Sequence, residues 1–153
     1  RKAQRMARSE EIQKLREATG GGVMECKHAL EEARGDVNQA MALLRERGLA
    51  KAEKKEGRST GAGFLETYVH NGRIGVLVEV RCETDFVVRS DPFRALAREL
   101  SMQIAAMNPA DVSALLAQPY IKDERITVHE VVKGVIAKVG ENIRVERFCR
   151  YEL

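Results

Sequence analysis

Apolar residues in this chain first change their period near residue 57, and that change restricts the fold to helices followed by a mixed sheet-and-helix core. Up to about residue 50 they recur every three or four positions, the spacing that lines one face of a helix. Beyond Gly63 they alternate, with Phe64 to His70 and Arg73 to Cys82 flanking Asn71-Gly72. That dipeptide suits a type I′ turn, because both of its central positions need positive φ. Ile74, Val76, Val78 and Val80 then share one face of the second strand. Residues 50–63 between the two regimes are polar or small, and they read as a linker that is helical at its start and loose around Gly57–Gly63.

Three short helices are expected before the linker. Ser9 is placed to cap the first, with Glu10 and Glu11 in its first turn and Ile12, Leu15 and Ala18 on one face. Gly20-Gly21-Gly22 breaks it. The second carries Cys26, Ala29, Leu30 and Ala33 at helical spacing and stops at Gly35. Asp36 opens the third, with Gln39 three residues on as in a capping box, a stripe of Val37, Ala40, Met41 and Leu44, and Gly48 as its stop. Residues 9–49 therefore form a three-helix module. The basic leader, residues 1–8, is expected to be disordered.

In residues 64–153 the hairpin is followed by a helix opened by Pro92, with Phe93, Leu96, Ala97, Leu100, Ile104 and Met107 along one side. A turn of helix is expected near Asp111–Leu116. Thr127 caps a further helix bearing Val128, Val131, Val132, Val135, Ile136 and Val139, which Gly140 ends. Ile143 to Leu153 alternates again, with Ile143, Val145, Cys149 and Tyr151 on one face, as a strand returning antiparallel to the hairpin. The fold class is α+β: a helical module, a linker, and a small antiparallel sheet with helices packed on one face.

Function classes narrow quickly. No apolar run approaches the roughly 18 residues of a membrane span, and the N-terminus lacks a signal peptide's apolar stretch, so a cytoplasmic location is expected. Cys26, Cys82 and Cys149 are an odd, widely spaced set, which argues for reduced thiols over a disulfide framework or zinc knuckle, although Cys149 is placed to meet a symmetry mate. The net charge is only +3, concentrated in residues 1–8 and in Lys51, Lys54, Lys55 and Arg58. Without interleaved aromatics for base stacking, those clusters do not make a specific nucleic-acid surface. His28, His70 and His129 lack metal-ligand spacing, and no nucleophile signature is present. Gly20-Gly21-Gly22 lacks both the Lys-Ser/Thr and the preceding apolar strand of a phosphate loop. No enzyme, cofactor or metal is expected.

Two segments carry partner-binding chemistry. Cys82-Glu83-Thr84-Asp85-Phe86-Val87-Val88 sets a Phe beside acids between a strand and a helix. Such a Phe is either a lid on its own core or, if exposed, a wedge for another protein's cleft. Val23 and Met24 stand at a glycine-loosened helix start, where core packing and partner contact are both open.

These segments resemble a known family. Leu15-Arg16-Glu17-Ala18-Thr19-Gly20-Gly21-Gly22-Val23-Met24-Glu25-Cys26-Lys27-His28-Ala29-Leu30, Cys82-Glu83-Thr84-Asp85-Phe86-Val87 and Lys138-Val139-Gly140-Glu141-Asn142-Ile143 occur in the order and pattern of translation elongation factor Ts. The likeness runs from about Glu11 to Leu153. It implies a ubiquitin-associated-type helical module and guanine nucleotide exchange on the GTPase elongation factor Tu. The Thr84, Asp85, Phe86 and Val87 segment would press near the GTPase's Mg²⁺, Val23 and Met24 would pack on another face of it, and Glu141, Asn142 and Ile143 would support or extend the contact surface.

Long members of that family carry a second core subdomain and a coiled-coil hairpin. Here Asn108–Ser113 runs almost directly into Gln118–Asp123, so a short form with one core unit is expected. A small sheet with free edges leaves a homodimer open. An RNA- or ribosome-associated basic protein, or a factor that binds elongation factor Tu without exchanging nucleotide, are the alternatives.

Overall fold

The computed structural model describes residues 2–153, with side chains from Arg8 onward. Three helices come first: α1 (Lys2–Thr19), α2 (Val23–Glu32) and α3 (Val37–Glu53). Leu15, Cys26, Ala29, Leu30, Ala33, Ala40 and Leu44 form their common core. The turn between α2 and α3 uses Arg34 and Gly35 at positive φ, and Asp36 caps α3 by accepting from the Gln39 N–H at 3.0 Å. The expected cap at Ser9 is absent, because α1 already runs from Lys2 and Ser9 is interior to it. Residues 2–8, expected to belong to a disordered leader, are instead the opening turns of α1.

Gly48 does not stop α3. The helix continues to Glu53, and Ala52 enters the second, larger core. Gly48 lies against α7 (Val128–Val139), where a Cβ would come within 3.2 Å of the Ala137 Cβ. Its missing side chain lets two helices approach; sequence alone cannot separate that use of glycine from a helix end.

The larger core lies beneath a three-stranded antiparallel sheet in the order β1 (Ala62–His70), β2 (Ile74–Cys82), β5 (Ile143–Glu152). Asn71 (φ 51°) and Gly72 (φ 66°) make the tight turn of the first hairpin. Val76, Val78 and Val80 are buried against α5 (Asp91–Met107) and α7. Thr127 and Glu130 complete a capping box at the start of α7, and Gly140 (φ 78°) ends it. Between the long helices lie α6 (Val112–Ala117), the turn of helix expected there, and β3 (Pro119–Tyr120) with β4 (Asp123–Thr127), a small ribbon that the apolar pattern had not suggested.

One expectation about β5 is corrected. Val80 pairs with Val145 but Glu79 pairs with Arg147, so Glu146 is an extra residue and the strand bulges there. Ile143 and Val145 face the helices, whereas beyond the bulge the inward positions are Phe148 and Arg150. The Arg150 Nη2 donates to the Ala105 carbonyl of α5 at 3.0 Å. Cys149 and Tyr151 are turned to the sheet's outer face, with Tyr151 78% exposed.

Candidate partner-binding surface

Where α1 ends, Gly20 takes φ +70° and the Thr19 hydroxyl donates to the Leu15 carbonyl at 2.6 Å while accepting from the Gly21 N–H at 3.2 Å. The chain turns out of α1 and re-enters helix at once, so Val23 and Met24 form the first turn of α2. The buried stripe of that helix starts two residues later, at Cys26. Val23 and Met24 are left 49% and 58% exposed. They are more open than core packing requires, and they lie side by side.

At the end of β2 the backbone makes a single helical turn, α4 (Asp85–Val88). Thr84 caps it, its hydroxyl oxygen accepting from the Val87 N–H, and the Cys82 thiol donates to the Thr84 carbonyl at 3.3 Å. Val87 and Val88 are buried in the larger core and hold the turn down. Phe86 projects on the other side and is 80% exposed, with exposed Asp85 beside it. A benzyl group in water on an anchored turn leaves most of its apolar surface available for burial against another molecule. Burial pushes the Cys82 thiol up, an effect that its contact with the Thr84 backbone only partly offsets, so this thiol is a packing group rather than a nucleophile at neutral pH.

The third segment follows Gly140. The Glu141 carboxylate accepts from the Thr84 N–H at 3.0 Å and from the Thr84 hydroxyl at 2.7 Å. Asn142 is buried and donates its amide to the carbonyls of Glu56 and Arg58, at 3.2 and 2.9 Å, which satisfies the stretch leading from α3 to β1. Ile143 is buried under the sheet. Of the nine residues singled out in the sequence, Val23, Met24, Thr84, Asp85 and Phe86 are exposed, Glu141 is half-buried, and Val87, Asn142 and Ile143 are turned inward.

All three segments converge on the C-terminal end of α7. Gly20 packs on Lys138 so closely that a Cβ there would lie 2.7 Å from the Lys138 Cα. The Lys138 ammonium donates to the Glu17 carbonyl at 2.9 Å, and Glu141 follows three residues later. Sequence reasoning missed Lys138 and Gly20 as joints. Their signal was only that both lie within the motifs singled out above. The segments bearing Phe86 and Met24, some sixty residues apart in sequence, are thus each tied to this corner, the C-terminal end of α7. Among the described residues no group of His, Cys, Asp or Glu is arranged to hold a metal ion, and no helix is long and apolar enough to cross a membrane. The corner offers apolar contact flanked by a carboxylate, on a rigid frame.

The family model for elongation factor TS matches residues 2–114 and, in a second stretch, residues 83–153. Elongation factor Ts of Thermotoga maritima is 44% identical across 93% of this chain and 94% of its own length. The chloroplastic elongation factor Ts of Cyanidioschyzon merolae is 45% identical, covering 93% of this chain and 91% of that protein. In the Nostoc relative of the same name, 48% identical, the match covers 45% of the protein. The Thermotoga and algal alignments run over 186 and 191 positions, yet 93% of the 153 residues here is about 142. The Thermotoga and algal proteins therefore each have more than 40 residues within the aligned span that find no counterpart here, whereas the Nostoc alignment, over 143 positions, has almost none. That shortening agrees with a six-residue α6 leading directly into β3.

Proposed function

The chain belongs to the elongation factor Ts family of translation factors, and from that premise we propose that it speeds GDP release from elongation factor Tu by binding alone. The observation that carries this reading is Phe86, 80% exposed on a helical turn that is anchored from below by Val87 and Val88 and from the side by Glu141. Asp85 beside it supplies a carboxylate able to accept hydrogen bonds in the partner's rearranged backbone. In this reading Phe86 and Asp85 enter the GTPase near the Mg²⁺ that clamps the nucleotide's phosphates. Val23 and Met24 hold a second face of the same domain. The factor works in the cytoplasm, where elongation takes place.

No covalent step is involved. A surface that fits the clamp-broken GTPase better than the nucleotide-filled one weakens nucleotide binding by that ratio. Tenfold weakening requires about 1.4 kcal/mol of differential binding. Burying one benzyl group contributes about 1.5–3 kcal/mol, so a single wedge is enough for an effect of that size.

A second copy of the chain is the partner proposed for the sheet's outer face. Leu65, Val69, Leu77 and Tyr151 are exposed there on three adjacent strands, with the Cys149 thiol between them. Sedimentation showing only monomer at micromolar concentration would remove this second partner.

Linkage gives the test of exchange. Titrated by calorimetry, nucleotide-free elongation factor Tu should bind the chain at least tenfold more tightly than its GDP complex does. Equal affinity for the two forms would rule out exchange, because a ligand indifferent to the nucleotide cannot displace it.

A further inference from the structure

Glu141 differs from the other exposed or half-exposed carboxylates of the corner because both of its oxygens are committed within the chain, to the backbone N–H and to the hydroxyl of Thr84. Those two bonds span 57 residues and join the end of α7 to the residue that caps α4. The Thr84 hydroxyl is shared: it donates to Glu141 and accepts from the Val87 N–H at 3.4 Å. This second bond is long, so the cap by itself holds the turn weakly. The carboxylate fixes the rotamer in which the hydroxyl can cap at all. Hydrogen bonds to an ionised acceptor are the stronger kind.

We propose that Glu141 is a positioning residue for exchange: it sets the direction of the Phe86 turn relative to the Val23–Met24 patch and makes no energetic contact with the partner itself. The proposal rests on the exchange reading above and assigns a role within it. Two observations support positioning over contact. The acceptor capacity of Glu141 aimed at α4 is already used, and the opposite side of the same corner is independently fixed. Lys138, three residues earlier, donates to the Glu17 carbonyl and lies under Gly20. The stretch 138–141 therefore holds the two contact patches at a set separation. Without Glu141 the Val23–Met24 patch can still bind, but the turn bearing Phe86, then held only from below by Val87 and Val88, loses its set direction.

The test uses the whole chain and elongation factor Tu loaded with a fluorescent GDP analogue. Release is measured against factor concentration, so that the maximal rate and the half-saturating concentration are read separately. Glu141→Ala should lower the maximal rate about tenfold and move the half-saturating concentration by less than threefold. Glu141→Gln, whose one carbonyl oxygen still accepts from the Thr84 N–H, should recover most of the rate. In a chain already carrying Phe86→Ala, adding Glu141→Ala should change the rate by less than twofold, because the residue acts only through the wedge. Multiplicative losses in the double variant, a loss confined to the half-saturating concentration, or no loss in Glu141→Ala would each overturn the proposal. Failure of the underlying reading looks different, since Phe86→Ala alone would then release GDP at the unaltered rate.

Discussion

Replacing Phe86 with alanine removes a side chain that contributes almost nothing to the fold, and the consequence can be sized from the structure. Phe86 is 80% exposed, so about four-fifths of its burial free energy is still available to a partner. Full burial of such a side chain is worth about 1.5–3 kcal/mol, leaving about 1.2–2.4 kcal/mol for the complex. If that energy is realised only when the nucleotide site is opened, Phe86→Ala lowers the maximal rate of GDP release roughly 8- to 60-fold. Unfolding in urea should shift by no more than about 0.5 kcal/mol, as for other exposed positions. Phe93→Ala is the internal comparison: Phe93 is fully buried under the sheet, and its truncation should cost about 3–5 kcal/mol of stability. Stopped-flow release of a fluorescent GDP analogue, with a urea titration of the same samples, reads both quantities. A Phe86→Ala variant that loses several kcal/mol of stability, or that releases GDP as fast as the parent, would refute the assignment of this side chain to a partner.

Other consequences follow from single contacts. Gly20→Ala forces a side chain into left-handed backbone and against Lys138, which should cost at least about 2 kcal/mol in denaturant unfolding. Glu79 is held below the ordinary carboxylate range first by the hydrogen bond from Arg81 and then by Arg147. Its contribution is therefore present above the unfolded value and lost as pH falls, so thermal stability should drop more steeply between about pH 5 and pH 3 in the parent than in Glu79→Gln. Cys149 is exposed while Cys26 and Cys82 are buried, with thiols pushed up by burial. Native protein diluted to the monomer should accordingly react with one equivalent of an aromatic disulfide reagent at pH 8, and with three only after unfolding.

Local chemistry made much of the fold legible in the sequence. Asn71-Gly72, Pro92, the Thr127–Glu130 box and Gly140 each act within a few residues, and each marks the boundary it was expected to mark. What escaped depended on neighbours remote in the chain. Gly48 reads as a stop until Ala137 is placed beside it. The bulge at Glu146 reverses the facing of Cys149 and Tyr151, and nothing in the alternation of Ile143–Leu153 signals an extra residue, because register is set by β2. The ribbon of β3 and β4 has only seven residues and no periodic stripe. In the candidate surface, Thr84-Asp85-Phe86 and Val23-Met24 stood out by residue type and by family resemblance. Glu141 stood out only through the resemblance, as support or extension of the surface; the bonds that it and Lys138 make were not legible, because they relate α7 to two segments that the sequence places far away.

Emptying of the nucleotide site of elongation factor Tu by binding alone is open to one direct kinetic measurement. Elongation factor Tu carrying a fluorescent GDP analogue is mixed with excess unlabelled GDP and a tenth as much of this chain. Release should be complete, with many turnovers per molecule of factor, at a rate that rises in proportion to factor concentration. Release at the spontaneous rate, or a burst limited to one nucleotide per molecule of factor, would contradict it.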